Sequence, residues 1–371
     1  MRILHLMSCR GWSSDAYWAA RVAHELERRG HEVTLGCRRG TEESVIKRVE
    51  REGVSRVTTF RFASGVQPAA DAEDLRRLRA AARDADVVHV HRGKEHWLAA
   101  AACATLPRRR PIVRTRHIAQ AVRPHAGNRW LYRRATALVV TVTEAIRGQY
   151  IAAGLLPPER VLTLHGGADV DTYRPRACDP TVRRLLGGEP EGALVGMIGG
   201  LRVMKGHQVV IDALARLRDD GQKVHAVFVG HGSMERQIRE AITRGGLDDR
   251  VAVPGYSNDV PGAMAALDVA LYVPLESDGM SRVVFEYLAA GRPLIASRVG
   301  AAAEVLVDGV HALLVPAGDA AALAAALRRL LGDAGLRARL GEAARRLVVE
   351  RYSGARLAEA LEAQYARLLA A

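Results

Sequence analysis

Aromatic residues make up only 5% of this 371-residue chain, so the base-stacking platforms of single-strand nucleic-acid binders are undersupplied. Cysteine is nearly as scarce. Cys9, Cys37, Cys103 and Cys178 stand far apart, with no CxxC pair and no accompanying histidine spacing, so neither a disulfide framework nor a zinc motif is suggested. No apolar stretch reaches the roughly 18 residues that a membrane span needs. The opening "MRILHLMSCRGW" is a short apolar run that leads straight into a glycine turn, which reads as a first β-strand and not as an export signal. The expected compartment is a reducing cytoplasm.

Acid is the other shortage. Against 54 Lys and Arg stand 41 Asp and Glu, a formal charge of +13. Such an excess implies an anionic partner, for which nucleic acid, an anionic membrane surface and phosphorylated metabolites all qualify. Much of it lies before residue 190, in runs such as "LRRLRAAARDAD", "LPRRRPIVRTRH" and "LYRRATALVV". Solvated helix faces are the plain alternative for each run.

What the chain does have is a globular composition and room for two hydrophobic cores. Short β-type runs alternate with helical patterns: "RILHLMS", the helix "DAYWAARVAHELERRG" ending at Gly30, "HEVTLGC", "DVVHVH", "PIVRTRH" and "ALVVTVT". This is the rhythm of a parallel sheet with helices on both faces. It restarts near residue 193 with "ALVGMIGG", "KVHAVFVG", "VAVPGY", "VALYVP" and "PLIAS". The expected fold is therefore α/β, two tandem Rossmann-like doubly wound domains facing across a cleft. The Gly-, Pro- and Asp-rich segment 166–180 reads as the linker. We expect an acceptor domain over 1–172, a donor domain over 173–353, and a helix over 354–371 that has no strand after it and could pack back on the first domain.

Ligands of open α/β sheets bind beyond the C-terminal ends of the strands, so the loops leaving strands matter most. "IGGLRVMKGHQVV" leaves the first strand of the second domain and sets Arg202 and Lys205 before a helix start. Flexible glycine backbone, free amides and two cations suit a diphosphate; a basic loop with helix-entry glycines is the alternative. "VFVGHGSMERQI" carries Gly230 and Gly232 but lacks a third glycine and the following acid of a dinucleotide fingerprint, so a structural turn is the better reading.

"LESDGMS" followed by "RVVFEYLAAG" is more specific. Ser281 is a plausible N-cap and Gly291 a helix stop, while the amides of Gly279, Met280 and Ser281 would face a ligand. Glu286 falls among Val284, Phe285 and Leu288. A carboxylate in that setting needs donors, and the paired hydroxyls of a ribose supply two. Asp278 would accept bonds from sugar hydroxyls. A capping acid with a surface glutamate is the alternative.

The spacing of Asp278 and Glu286 resembles the E-x7-E signature of retaining GT-B glycosyltransferases of the large family-four class (glycosyl transferases group 1), with aspartate at its first position. The surrounding segments are similar too: "IGGLRVMKG" to the donor-phosphate loop, "VFVGHGSME" to the glycine turn, and "GRPLIASRVGAAAEVLVDGVHALLVP" to the run after the signature. The resemblance is firm after residue 135 and loose before. It implies that Arg202 and Lys205 neutralise a donor diphosphate, that Glu286 holds the ribose, that Asp278 with the amides of 279–281 positions the transferred sugar, and that Gly230 belongs to the donor site. It also implies that His117, in "VRTRHIA", is a catalytic residue near the reacting carbon. Two departures stand out. Gly200 occupies the place of the family's usual arginine, leaving Arg202 to serve. Ser13-Ser14 replaces a Gly-Gly pair, where a hydroxyl would meet phosphate or acceptor.

The resemblance thus implies a cytoplasmic hexosyltransferase, peripheral at the inner face of the membrane. It would use a nucleotide-sugar donor and a hydroxyl acceptor that is lipid-linked, phosphorylated, part of the cell envelope or a small molecule. No metal site follows a strand in a donor pocket, since "DAD" at 84–86 and "DVD" at 169–171 read as a strand entry and a turn; no cofactor and no nucleic-acid partner are expected. The rival readings are an epimerase or phosphorylase on the same scaffold, and a basic DNA- or membrane-binding protein.

Overall fold

A computed structural model describes residues 1–189, 192–277, 279 and 281–370. The chain forms two compact units, Met1–Gly167 with Gly354–Ala371, and Ala168–Ser353. The division falls after Gly167, a few residues before the expected boundary at 172. Residues 168–179 belong to the second unit because Tyr173 is buried in its core.

The first unit holds seven strands: β1 (Arg2–Leu6), β2 (Glu32–Arg38), β3 (Val57–Phe60), β4 (Val87–Val90), β5 (Ile112–Arg116), β6 (Leu138–Thr141) and β7 (Val161–Thr163). Their order across the sheet is β3-β2-β1-β4-β5-β6-β7, and every pairing is parallel. The second unit holds six: β8 (Ala193–Ile198), β9 (Val224–Val229), β10 (Val251–Gly255), β11 (Val269–Tyr272), β12 (Leu294–Ser297) and β13 (Leu313–Val315). These run parallel in the order β10-β9-β8-β11-β12-β13. Strand order reverses between β1 and β4 in one sheet and between β8 and β11 in the other. Such switch points open a crevice at the strand C-termini.

Both faces of the second sheet are covered. One core gathers Val195, Leu214, Phe228 and Leu327; the other gathers Leu267, Ala270, Phe285 and Tyr287. β11 and β12 are buried along their whole length, as parallel strands between two helical layers must be. In the first sheet, Leu4, Leu6, Val88 and Val90 point into one apolar core. Because side chains alternate along a strand, His5 and His89 point to the opposite face, and the register pairs them directly. That face is covered by the helix Ser14–Arg28 and by the C-terminal helix Gly354–Ala370, which bury Trp18 and Tyr365. The C-terminal helix thus packs as part of the first unit.

Candidate functional site

In the second unit, the loop after β8 begins at Gly199 and Gly200 and makes a short helical turn, Val203–Lys205, before the helix His207–Asp219. Gly206 joins the two with φ +77°, and a Cβ there would lie 2.0 Å from the carbonyl oxygen of Val273. Only glycine lets this turn pass so close to the chain leaving β11. Arg202 is exposed, and its Nε lies 3.2 Å from where a Cβ on Gly200 would sit. Its guanidinium therefore folds back beside position 200, into the neighbourhood where the resemblance expects an arginine. Lys205 Nζ lies 5.9 Å from the ring centroid of Tyr272. His207 is buried, and burial with the nearby Lys205 lowers its pKa to about 4.

Gly230 and Gly232 serve that loop from the end of β9. A Cβ on Gly230 would stand 2.0 Å from the oxygen of Gly199, and one on Gly232 would stand 2.0 Å from that of Leu201. Leu201 N donates to His231 O at 3.0 Å. These two glycines let two strand-exit loops share backbone space. Leu275 N donates to Met204 O at 2.8 Å, which ties the loop after β11 to the loop after β8. The two loops flank the switch point.

The loop after β11 leads into the helix Arg282–Ala289, with Ser281 at the N-cap and Gly291 left-handed at φ +65° beyond its end. Ser281 is buried, and its side chain makes no capping bond; the N-cap position is as expected, the capping bond is not. The amide of Gly279 donates to Ser277 Oγ at 3.3 Å and is not free. Asp278 and Met280 lie outside the described residues.

Glu286 is 1% exposed. Arg282, one turn earlier, places Nε 2.8 Å from its Oε1, and the Tyr173 side chain favours the charged form. Burial raises its pKa, with Arg282 and Tyr173 opposing. Glu286 thus already has an internal cation and a phenol, partners the sequence reading did not name. An i, i+4 Arg–Glu pair was the available signal.

In the first unit, period-two spacing along adjacent strands brings histidines together at the C-terminal end of the sheet. His5 on β1, His89 on β4, His91 just beyond it, and His117 just beyond β5 are all buried. His91 Nδ1 lies 3.2 Å from His117 Nε2, and His91 Nε2 lies 3.3 Å from His5 Nδ1. Trp18 stands edge-on to His89, His91 and His117 at 6.0, 5.5 and 5.3 Å. Burial pushes His117 down to about 4, with Asp15 pulling the other way. Its Nδ1 is buried without a hydrogen-bond partner among the described residues.

Ser13 is the N-cap residue of the helix Ser14–Arg28 and hydrogen-bonds through its hydroxyl to Asp15. Arg92 Nε donates to the same carboxylate at 2.7 Å. Burial opposes ionisation of Asp15, but His117, Arg92 and Ser13 outweigh it and hold the carboxyl below the usual range. Ser14 opens the helix. Ser13, Ser14 and His117 stand in the segments that carry the family resemblance; Asp15, Arg92 and the other histidines do not stand out there, although "HVH" at 89–91 carries the alternation.

His5, His89 and His91 have nitrogens within 4.8 Å of one another, close enough to share a cation. Each of their ring nitrogens is already hydrogen-bonded, to His91, Tyr365, Thr115, His117 or His5. A metal would have to break those bonds.

Comparison with known proteins agrees with this geometry. Residues 16–172 match the family model of Glycosyltransferase Family 4, and residues 192–333 match that of Glycosyl transferases group 1. Between them the two models reach into both units, and the chain belongs to this glycosyltransferase class. The 2-deoxystreptamine glucosyltransferase of Streptomyces kanamyceticus is 31% identical over 55% of this chain and 53% of that protein. The lipopolysaccharide core biosynthesis mannosyltransferase LpsB of Rhizobium meliloti is 28% identical over 55% of this chain and 58% of that protein. The chain thus spans little more than half the length of these relatives. Anabaena Alr3699/HepE, solved in complex with UDP, superposes with a TM-score of 0.83 over 99% of this chain and all of its own, at 21% identity. That likeness makes the fold GT-B.

Proposed function

We propose that the protein moves a hexosyl group from a nucleotide diphosphate sugar to an acceptor hydroxyl, with retention at the anomeric carbon and without a metal ion. The observation that carries this reading is the pair of tied loops at the switch point of the second sheet: Arg202 and Lys205 on one, the helix of Glu286 on the other. Negative charge grows on the diphosphate as the glycosidic bond breaks. Fixed cations at that point stabilise the transition state more than the ground state. Glu286, whose Oε1 is buried without a hydrogen-bond partner among the described residues, takes the ribose hydroxyls. Asp278 with the amides of Met280 and Ser281 takes the transferred sugar, and His117 is the catalytic residue assigned to that sugar. The named relatives are glycosyltransferases, which favours transfer over epimerisation or phosphorolysis. The UDP in the Anabaena neighbour makes a uridine nucleotide the first donor to try.

The acceptor in this reading is lipid-linked or phosphorylated, and the protein sits peripherally on an anionic membrane face. No helix among the described residues is long and apolar enough to cross a membrane. The exposed rings of Trp97 and Trp130 stack at 6.0 Å, and the exposed Arg129, Arg133 and Arg134 neighbour Trp130 in sequence; tryptophan with arginine is the composition of an interfacial anchor.

The test is a thermal-shift and turnover screen of UDP-, GDP- and ADP-sugars, with EDTA in parallel. One donor is expected to raise the melting temperature of the wild type, with turnover unchanged by EDTA, and Lys205→Ala to lose most of that shift. If no nucleotide sugar stabilises the protein, the transferase reading is wrong. Loss of turnover in EDTA, restored by a divalent cation, would overturn metal independence.

A further inference from the structure

The buried histidines continue beyond His117 into one unbroken chain of hydrogen bonds. From His117 it runs through His91 to His5 (3.2 and 3.3 Å), then from His5 Nε2 to the hydroxyl of Tyr365 at 3.4 Å. From Tyr365 it continues to His89 Nδ1 at 2.5 Å, and from His89 Nε2 to Thr115 Oγ1 at 2.6 Å. Every residue in it is 6% exposed or less. A neutral imidazole has one N–H and one bare nitrogen, and a phenol has one proton. Once one link is oriented, and with the buried phenol proton used within the chain, every other is fixed, because each ring that accepts on one side must donate on the other.

Only two arrangements therefore satisfy all the links. In the first, Thr115 donates to His89, His89 to Tyr365, Tyr365 to His5, His5 to His91 and His91 to His117 Nε2. His117 then carries its own proton on Nδ1. In the second, every arrow reverses, His117 Nδ1 is bare, and the hydroxyl proton of Thr115 points into the core. The second thus leaves two buried groups unmet among the described residues, the Thr115 proton and the bare His117 Nδ1, where the first leaves one, the His117 N–H, and each unmet buried polar group costs about 1–3 kcal/mol.

We infer that Tyr365, on the C-terminal helix, is a positioning residue for His117: through this chain it holds the proton of His117 on Nδ1, making that nitrogen a hydrogen-bond donor to a substrate oxygen. The buried, unpartnered Nδ1 is the group left waiting for that oxygen. The substrate half of this statement rests on the transferase reading; the placement of the proton does not.

The test is imidazole 15N NMR of the full chain, with His117 assigned by its loss in His117→Gln. In the wild type, His117 is expected to be protonated on Nδ1. Tyr365→Phe cuts the chain and Thr115→Val removes its terminal donor; either leaves the two orientations nearly equal, so His117 should become a tautomer mixture. Thr115→Ser keeps the hydroxyl and should keep the wild-type signal. If a nucleotide sugar is turned over, kcat/KM should fall about twofold or more in Tyr365→Phe, since equal populations halve the competent fraction. Proton on Nε2 in the wild type, a signal unmoved by both cutting variants, or stoichiometric metal bound in the purified protein would each overturn the inference. A wild type that turns over no donor, with the tautomers as expected, would refute only the transferase reading. The wild-type spectrum decides the matter even if a variant fails to fold.

Discussion

Glu286 and Arg282 show how one buried residue joins stability to binding. The carboxylate is 1% exposed and its nearest cation lies one helical turn away. Arg282→Ala would leave the acid without that charge and cost about 1–3 kcal/mol at neutral pH. The sign with pH follows from the raised pKa of Glu286. A carboxyl whose folded value lies above its unfolded one contributes most at low pH and loses that contribution as pH rises through the folded value. The gap between wild type and Arg282→Ala should therefore widen from pH 5 to pH 8 in urea titrations. A gap that stays constant would show that Glu286 does not depend on Arg282.

The histidines give the opposite slope. Burial pushes His5 down to about 3 and His117 and His207 to about 4, and holds His89 and His91 well below their usual value. Their contribution is complete above the unfolded value near 6.5 and is lost as pH falls from there toward the folded values. Each histidine contributes up to about 1.4 kcal/mol per pH unit over that window. The urea midpoint should drop steeply between pH 6.5 and 4.5; a flat profile would mean that these rings are not held neutral. At this scale the sequence showed His117 and Glu286 by motif, but not their partners. Asp15, Arg92 and Tyr365 reach the site through strand register and helix packing, which no local spacing encodes.

Elements were legible where they are long and central. The doubly wound rhythm of both sheets, the helix ending at Gly30 and the helix ending before Gly291 could all be read from periodicity and caps. The strands that escaped were β3, β7 and β13, all at sheet edges. β7 and β13 have three residues each, too few to show a pattern, and the first three residues of β3 are only half-buried. The loop after β8 yields the element-scale prediction. Gly206→Ala meets both a left-handed φ of +77° and a carbonyl 2.0 Å from its new Cβ, so it should cost more than about 2 kcal/mol and abolish nucleotide stabilisation. Gly221→Ala has a similar φ of +73° but open space around it, and should cost about 1–2 kcal/mol with the nucleotide shift intact. Paired thermal melts with and without the donor would separate strain from loss of the site.

At the scale of the molecule, the first unit is built from both ends of the chain. The helix Gly354–Ala370 lies over the histidine face, with Leu357, Leu361 and Tyr365 buried, and its Glu362 reaches Arg29 at 2.5 Å and His31 at 3.0 Å. Deleting residues 354–371 should lower the melting of the first unit while the second unit, whose cores lie wholly within Ala168–Ser353, keeps its transition. Two transitions by calorimetry that move together would show that the units unfold as one.

The same arrangement sets a timetable. A ribosome delivers β1 before the second unit and Tyr365 after it, so the nascent first sheet must wait for the helix that covers His5, His89 and His91 while the whole second unit is synthesised. Domains ordinarily fold in the order they emerge; here the later-made unit is the one able to finish first, and the histidine chain closes only once that unit has been made.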